Sequence, residues 1–171
     1  DGERAEITLE KGAACPAWVL PNAGGSGYYR FALDGKGWDA LLGALPQLDD
    51  GSALVGANNF VAAFSAGKLD APTLRRGVER IAQLPGSDAA VSASLFWSLD
   101  QQLLSPASRP AYREWLATQY RARFDAIGYH ADTALDREDP TETALWRSKL
   151  AEVLGGTARD PQVSSELARR A

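Results

Sequence analysis

The spacing of apolar residues along the chain changes from a strand-like to a helical period close to Gly37. Before this point, short runs alternate apolar with polar residues or are rich in aromatic and aliphatic side chains, which predicts β-strands. These runs are residues 6–10, 18–20 and 28–33. After it, apolar residues recur every three or four positions, as on one face of a helix. The pattern predicts two regions, a β-strand segment (1–34) and a helical domain (35–171).

Seven helices are predicted within the second region. The first carries Trp38, Leu41, Leu42 and Leu45 on one face. The other six begin at polar capping residues, several of them followed by proline, which are Ser52, Asp70, Ser87, Ser108, Asp139 and Asp160. Four tryptophans fall in or beside the apolar stripes and are predicted to be buried: Trp38, Trp97, Trp115 and Trp146. Residues 130–138 lack a period and are predicted to be a loop.

Short, well-marked turns between the helices predict an antiparallel helical array. A HEAT-like stack is the favoured form and an irregular bundle is the alternative. Three strands cannot enclose a core, so we expect them to belong to a β-sandwich whose other strands precede Asp1. The last apolar stripe continues to the final residues, so we expect the helical domain to be incomplete as well.

Composition excludes several classes of function. The 171 residues carry a net charge of -4 and 45% hydrophobic residues, a balance typical of a soluble globular protein. No basic cluster suited to nucleic acid is present, and no apolar run approaches the roughly 18 residues that span a membrane. Cys15 is the only cysteine, so an intrachain disulfide is impossible and both a cytoplasmic and a bacterial periplasmic location remain open.

Catalytic chemistry is not predicted in this chain. His130 is the only histidine, so the two-histidine HExxH motif of zinc peptidases is absent, and Cys15 has no other histidine to activate it. The glycine-rich stretch 24–27 is followed by a predicted strand rather than a helix, so a turn is favoured over a phosphate-binding loop. We therefore predict no catalytic residue, no metal ligand and no cofactor within these residues.

One motif stands at the boundary between the two predicted regions. A tryptophan is followed by Pro-Asn, a glycine-rich turn and Gly-Tyr-Tyr-Arg. This arrangement resembles the WxxPNxxxxGYYR signature of zinc aminopeptidases of the aminopeptidase N family. There the signature marks the exit from a β-sandwich into a C-terminal helical domain. The resemblance implies a structural domain junction formed by Trp18, Asn22, Gly27, Tyr28, Tyr29 and Arg30, in which Arg30 could form an ion pair.

Two later segments extend the resemblance. Residues 38–42 are similar to the tryptophan-led first helix of that domain, and residues 58–69 are similar to its DDxFxLxxxGxL helix. The family's Asp-Asp pair is replaced here by Asn58 and Asn59, and the arginine usually found about five residues earlier is replaced by Ala53. These neutral replacements indicate a changed structural contact.

The resemblance implies a function for a longer parent protein. That protein would remove N-terminal residues from peptides with a zinc-activated water held by a catalytic domain of the same polypeptide. The present segment would shape and gate the chamber that admits peptide substrates. The alternatives are a stand-alone helical-repeat module that binds peptide or protein, and a scaffold from a peptidase relative without a zinc site.

Overall fold

The computed structural model describes residues 14–84, 93–128 and 141–169. Within them the protein is mainly helical, as predicted, with seven α-helices and no β-strand. The helices are α1 (Gly35–Ala44), α2 (Asp50–Ser65), α3 (Ala71–Ile81), α4 (Ala93–Ser98), α5 (Arg109–Ile127), α6 (Thr141–Ala151) and α7 (Pro161–Ala168).

Two π-helices continue α4 and α6, and neither was predicted. The first spans Leu99–Leu103 and the second spans Glu152–Thr157. Gly155 and Gly156 lie inside the second π-helix, although glycine more often ends a helix. A π-turn accommodates one extra residue, and an apolar period of three to four residues does not reveal such an insertion.

Aspartates cap four of the helices. Asp34, Asp49, Asp70 and Asp160 each accept a hydrogen bond from a backbone N–H in the first turn. The predicted starts at Asp70 and Asp160 are confirmed, and α5 follows Ser108 as expected. The prediction of Ser52 as a cap is wrong, because the carboxylate of Asp49 accepts from Ser52 N at 3.0 Å. Ser87, Asp139, the 130–138 loop and the strand at 6–10 lie outside the described residues.

The strands predicted at 18–20 and 28–33 are not present in the structure. A 3₁₀ turn, Ala23–Gly25, lies between these segments, which run without strand pairing. A strand is defined by backbone hydrogen bonds to a neighbouring strand. In the described part of the chain, the N–H of Phe31 instead donates to the side chain of Asn59.

The core is built by two groups of helices. In the N-terminal group, α1, α2 and α3 pack on one another, and the fully buried Trp38 lies between the rings of Phe31 and Phe60. Gly77 of α3 lies so close to Phe60 that a Cβ there would overlap the ring. In the C-terminal group, α4, α5, α6 and α7 pack around the second π-helix.

The other predicted tryptophans divide between the core and the surface. Trp146 is buried and Trp115 is partly buried, but Trp97 is 50% exposed, so its predicted burial is wrong. Trp97 follows Phe96, which is buried against Tyr120. Adjacent positions on a helix point about 100° apart, so the phenylalanine is buried and the tryptophan remains exposed.

Candidate functional site

The motif at the predicted domain boundary folds into a loop closed by one side chain. We call residues 21–31 the Asn22 loop. The side chain of Asn22 accepts a hydrogen bond from Gly27 N and donates one to Gly27 O, both at 2.8 Å. Asn22 is buried, although most of its neighbours are exposed. The side-chain amide of Asn22 therefore holds Gly27 beside it and closes the loop.

Tyr29 folds back within the same loop. Its hydroxyl donates to the carbonyl oxygen of Pro21, and its ring lies against Gly27. A Cβ at Gly27 would overlap that ring. A larger residue at this position would therefore displace the half-exposed ring of Tyr29 from its present place.

The Asn22 loop is attached to α2 by two side chains. Ser52 Oγ accepts a hydrogen bond from Gly24 N at 3.2 Å, and Asn59 Oδ1 accepts one from Phe31 N at 3.2 Å. Asn59 also donates to Val55 O in its own helix at 2.9 Å, so both the oxygen and the nitrogen of its amide are hydrogen-bonded. Asn59, in the later segment 58–69, thus contacts the residue that directly follows the Gly-Tyr-Tyr-Arg motif.

Electrostatics at the start of α2 stabilise this attachment. Asp49 accepts from Ser52 N, while the hydroxyl of Ser52 accepts from the Asn22 loop. Hydrogen bonding by Ser52 holds the pKa of the Asp49 carboxyl below its ordinary value. Asp49 is therefore ionised at neutral pH, and its charge also interacts favourably with the N-terminus of α2.

The structure brings together only part of the predicted junction set. Asn22, Gly27 and Tyr29 contact one another, whereas Trp18, Tyr28 and Arg30 lie exposed. Neither tyrosine is buried: Tyr28 is fully exposed and Tyr29 is about half exposed. Among the described residues, no carboxylate lies within ion-pair distance of Arg30.

Ser52 and Asn59 were not predicted to hold the loop. Asn59 was noted only as a departure from the family's aspartate pair, and Ser52 only as a capping residue. The available signal was an amide next to Phe60 on the buried side of α2. A buried amide needs hydrogen-bond partners, but the sequence does not show which backbone groups they are.

A buried ion pair in the C-terminal group was also missed. Asp100 is fully buried in the first π-helix, and both of its oxygens accept from the guanidinium of Arg113 at 2.7 Å. Gln101 donates to the same carboxylate at 2.6 Å. The hydrogen bonds from Arg113 lower the pKa of Asp100 despite its burial, which alone would raise it. This pair links the π-helix to α5.

The described residues contain no group of three or more His, Cys, Asp or Glu side chains that could hold a metal ion. Cys15 is exposed and not in a disulfide, and His130 lies outside the described residues. None of the helices in the described ranges combines the length and apolar character needed to cross a membrane. We take the Asn22 loop and its contacts with α2 as the candidate functional site, because the loop contains the motif that the sequence singles out.

The contact between Asn59 and Phe31 leads to a testable difference between adjacent asparagines. We expect Asn59→Ala to lower the free energy of unfolding by about 1–3 kcal/mol, because the buried N–H of Phe31 loses its acceptor. We expect Asn58→Ala to change it by less than about 0.5 kcal/mol, since Asn58 is only partly buried and alanine favours the helix. Urea denaturation followed by circular dichroism measures both. Equal losses would show that Asn59 does not hold the loop.

Searches against protein-family models, curated proteins and solved structures found no match to this chain. Its function is therefore inferred from the residues and their contacts.

Proposed function

We propose that this chain is the non-catalytic C-terminal region of a zinc-dependent aminopeptidase that removes N-terminal residues from peptides. The observation that supports this most is the pair of hydrogen bonds joining the Asn22 loop to Ser52 and Asn59 of α2. Asn59 lies in the segment similar to the family's DDxFxLxxxGxL helix, and it accepts from the backbone N–H of Phe31, which directly follows the Gly-Tyr-Tyr-Arg motif. This is the role expected of a domain junction.

The exposed side of the same segment supports a partner beyond the described residues. Trp18, Val19, Tyr28 and Tyr29 are all between one third and fully exposed. Aromatic and aliphatic side chains grouped at a protein surface are typical of an interface. We propose that the catalytic domain of the same polypeptide covers them, and that Arg30 finds its ion-pair partner there.

The predicted strand at 28–33 suggests how the domains join. These residues have no strand partner among the described residues. A strand that lacks a partner can add to the edge of a sheet. We propose that residues 1–34 complete a β-sandwich, and that this explains why the predicted strands are unpaired here.

The helical part would form a wall of the substrate chamber and would contribute no catalytic residue. Consecutive helices α1, α2 and α3 pack on one another, as the first units of a HEAT-like array would. Such an array is curved and offers a concave face to an extended peptide. In the parent protein this face would enclose the chamber and limit which peptides enter, while the catalytic domain holds the zinc.

Activity measurements separate this role from an enzymatic one. We expect the purified 171-residue chain to show no hydrolysis of aminoacyl reporter substrates, with or without added zinc, because the described residues lack a metal-binding group. We expect the parent protein to hydrolyse the same substrates and to lose activity with a chelator.

Two outcomes contradict the proposal. Zinc-dependent turnover by the isolated chain would place the catalytic site within it. A parent protein that binds peptides but never cleaves them would favour the alternative, a binding module or a scaffold without a zinc site. Peptide binding by the parent is measured separately, by calorimetry with an uncleaved peptide.

A further inference from the structure

We draw no further inference here: the strongest candidate, the apolar groove between the two groups of helices lined by Phe64, Phe96, Tyr112 and Trp115, carries nothing further, because nothing in the described part of the structure shows what covers it.

Discussion

Replacing Trp38 with alanine should lower the free energy of unfolding by about 3–5 kcal/mol, the range for deleting a buried aromatic side chain. Trp38 is fully buried and contacts Phe31 at 5.6 Å and Phe60 at 5.3 Å between ring centroids. The ring therefore links the end of the Asn22 loop, at Phe31, to both α1 and α2. Its removal leaves a cavity at the point where these three elements meet. Urea denaturation followed by circular dichroism measures the change.

Two further variants make this prediction specific. Trp97 is 50% exposed, so Trp97→Ala should cost less than about 1 kcal/mol. The indole Nε1 of Trp38 has no hydrogen-bond partner among the described residues, so Trp38→Phe removes no hydrogen bond and should cost less than Trp38→Ala. If Trp38→Ala costs no more than Trp97→Ala, Trp38 is not at the centre of the core.

Replacing Arg113 with alanine should lower the free energy of unfolding by about 3–5 kcal/mol at pH 7, as expected when one partner of a buried ion pair is removed. Both oxygens of Asp100 would lose a 2.7 Å bond and keep only the bond from Gln101. Arg169→Ala is the control, because Arg169 pairs with Glu166 while 68% exposed. That change should cost less than about 1 kcal/mol.

The pH dependence of the Arg113 effect identifies its cause. The pKa of Asp100 is lowered in the folded protein by Arg113, so the ionised carboxylate stabilises the fold above the ordinary aspartate pKa of about 4. This stabilisation is lost as the pH falls through the lowered pKa. The difference between Arg113→Ala and the parent chain should therefore shrink below about pH 4. A difference that is constant from pH 7 to pH 3 would assign the effect to packing alone.

The starts of the helices could be predicted because their signals are local. An aspartate followed by proline satisfies the free N–H groups of a first turn wherever it occurs, and Asp70 and Asp160 do so here. The predicted cap of α2, Ser52, lies three residues after the actual cap, Asp49, because both are good capping residues. The sequence alone does not indicate which of them accepts the hydrogen bond.

The buried face of α2 could not be predicted from its large apolar residues. Leu54, Val61 and Phe64 are large apolar residues of α2, but they are exposed or only partly buried. The face that packs is formed by Ala53, Gly56, Ala57, Phe60 and Ala63. Small residues allow neighbouring helices to approach closely. A stripe of them is hard to recognise in a sequence, because alanine and glycine are only weakly hydrophobic.

Of the candidate site, the turn could be predicted from the sequence, whereas its attachment to α2 could not. The glycine-rich stretch 24–27 predicted a turn, and the structure adds the bonds between Asn22 and Gly27 that close it. The attachment to Ser52 and Asn59 crosses 28 residues of sequence in each case. Contacts at that separation depend on how the helices pack, which no local pattern records.

We propose that this chain belongs to a zinc aminopeptidase, and the coding sequence upstream of Asp1 is the decisive test. We expect an open reading frame that continues upstream and encodes an HExxH motif with a glutamate about twenty residues later, the ligand set of such a zinc site. A start codon immediately before Asp1, or an upstream domain without these ligands, would contradict it and identify the chain as a binding module or a scaffold.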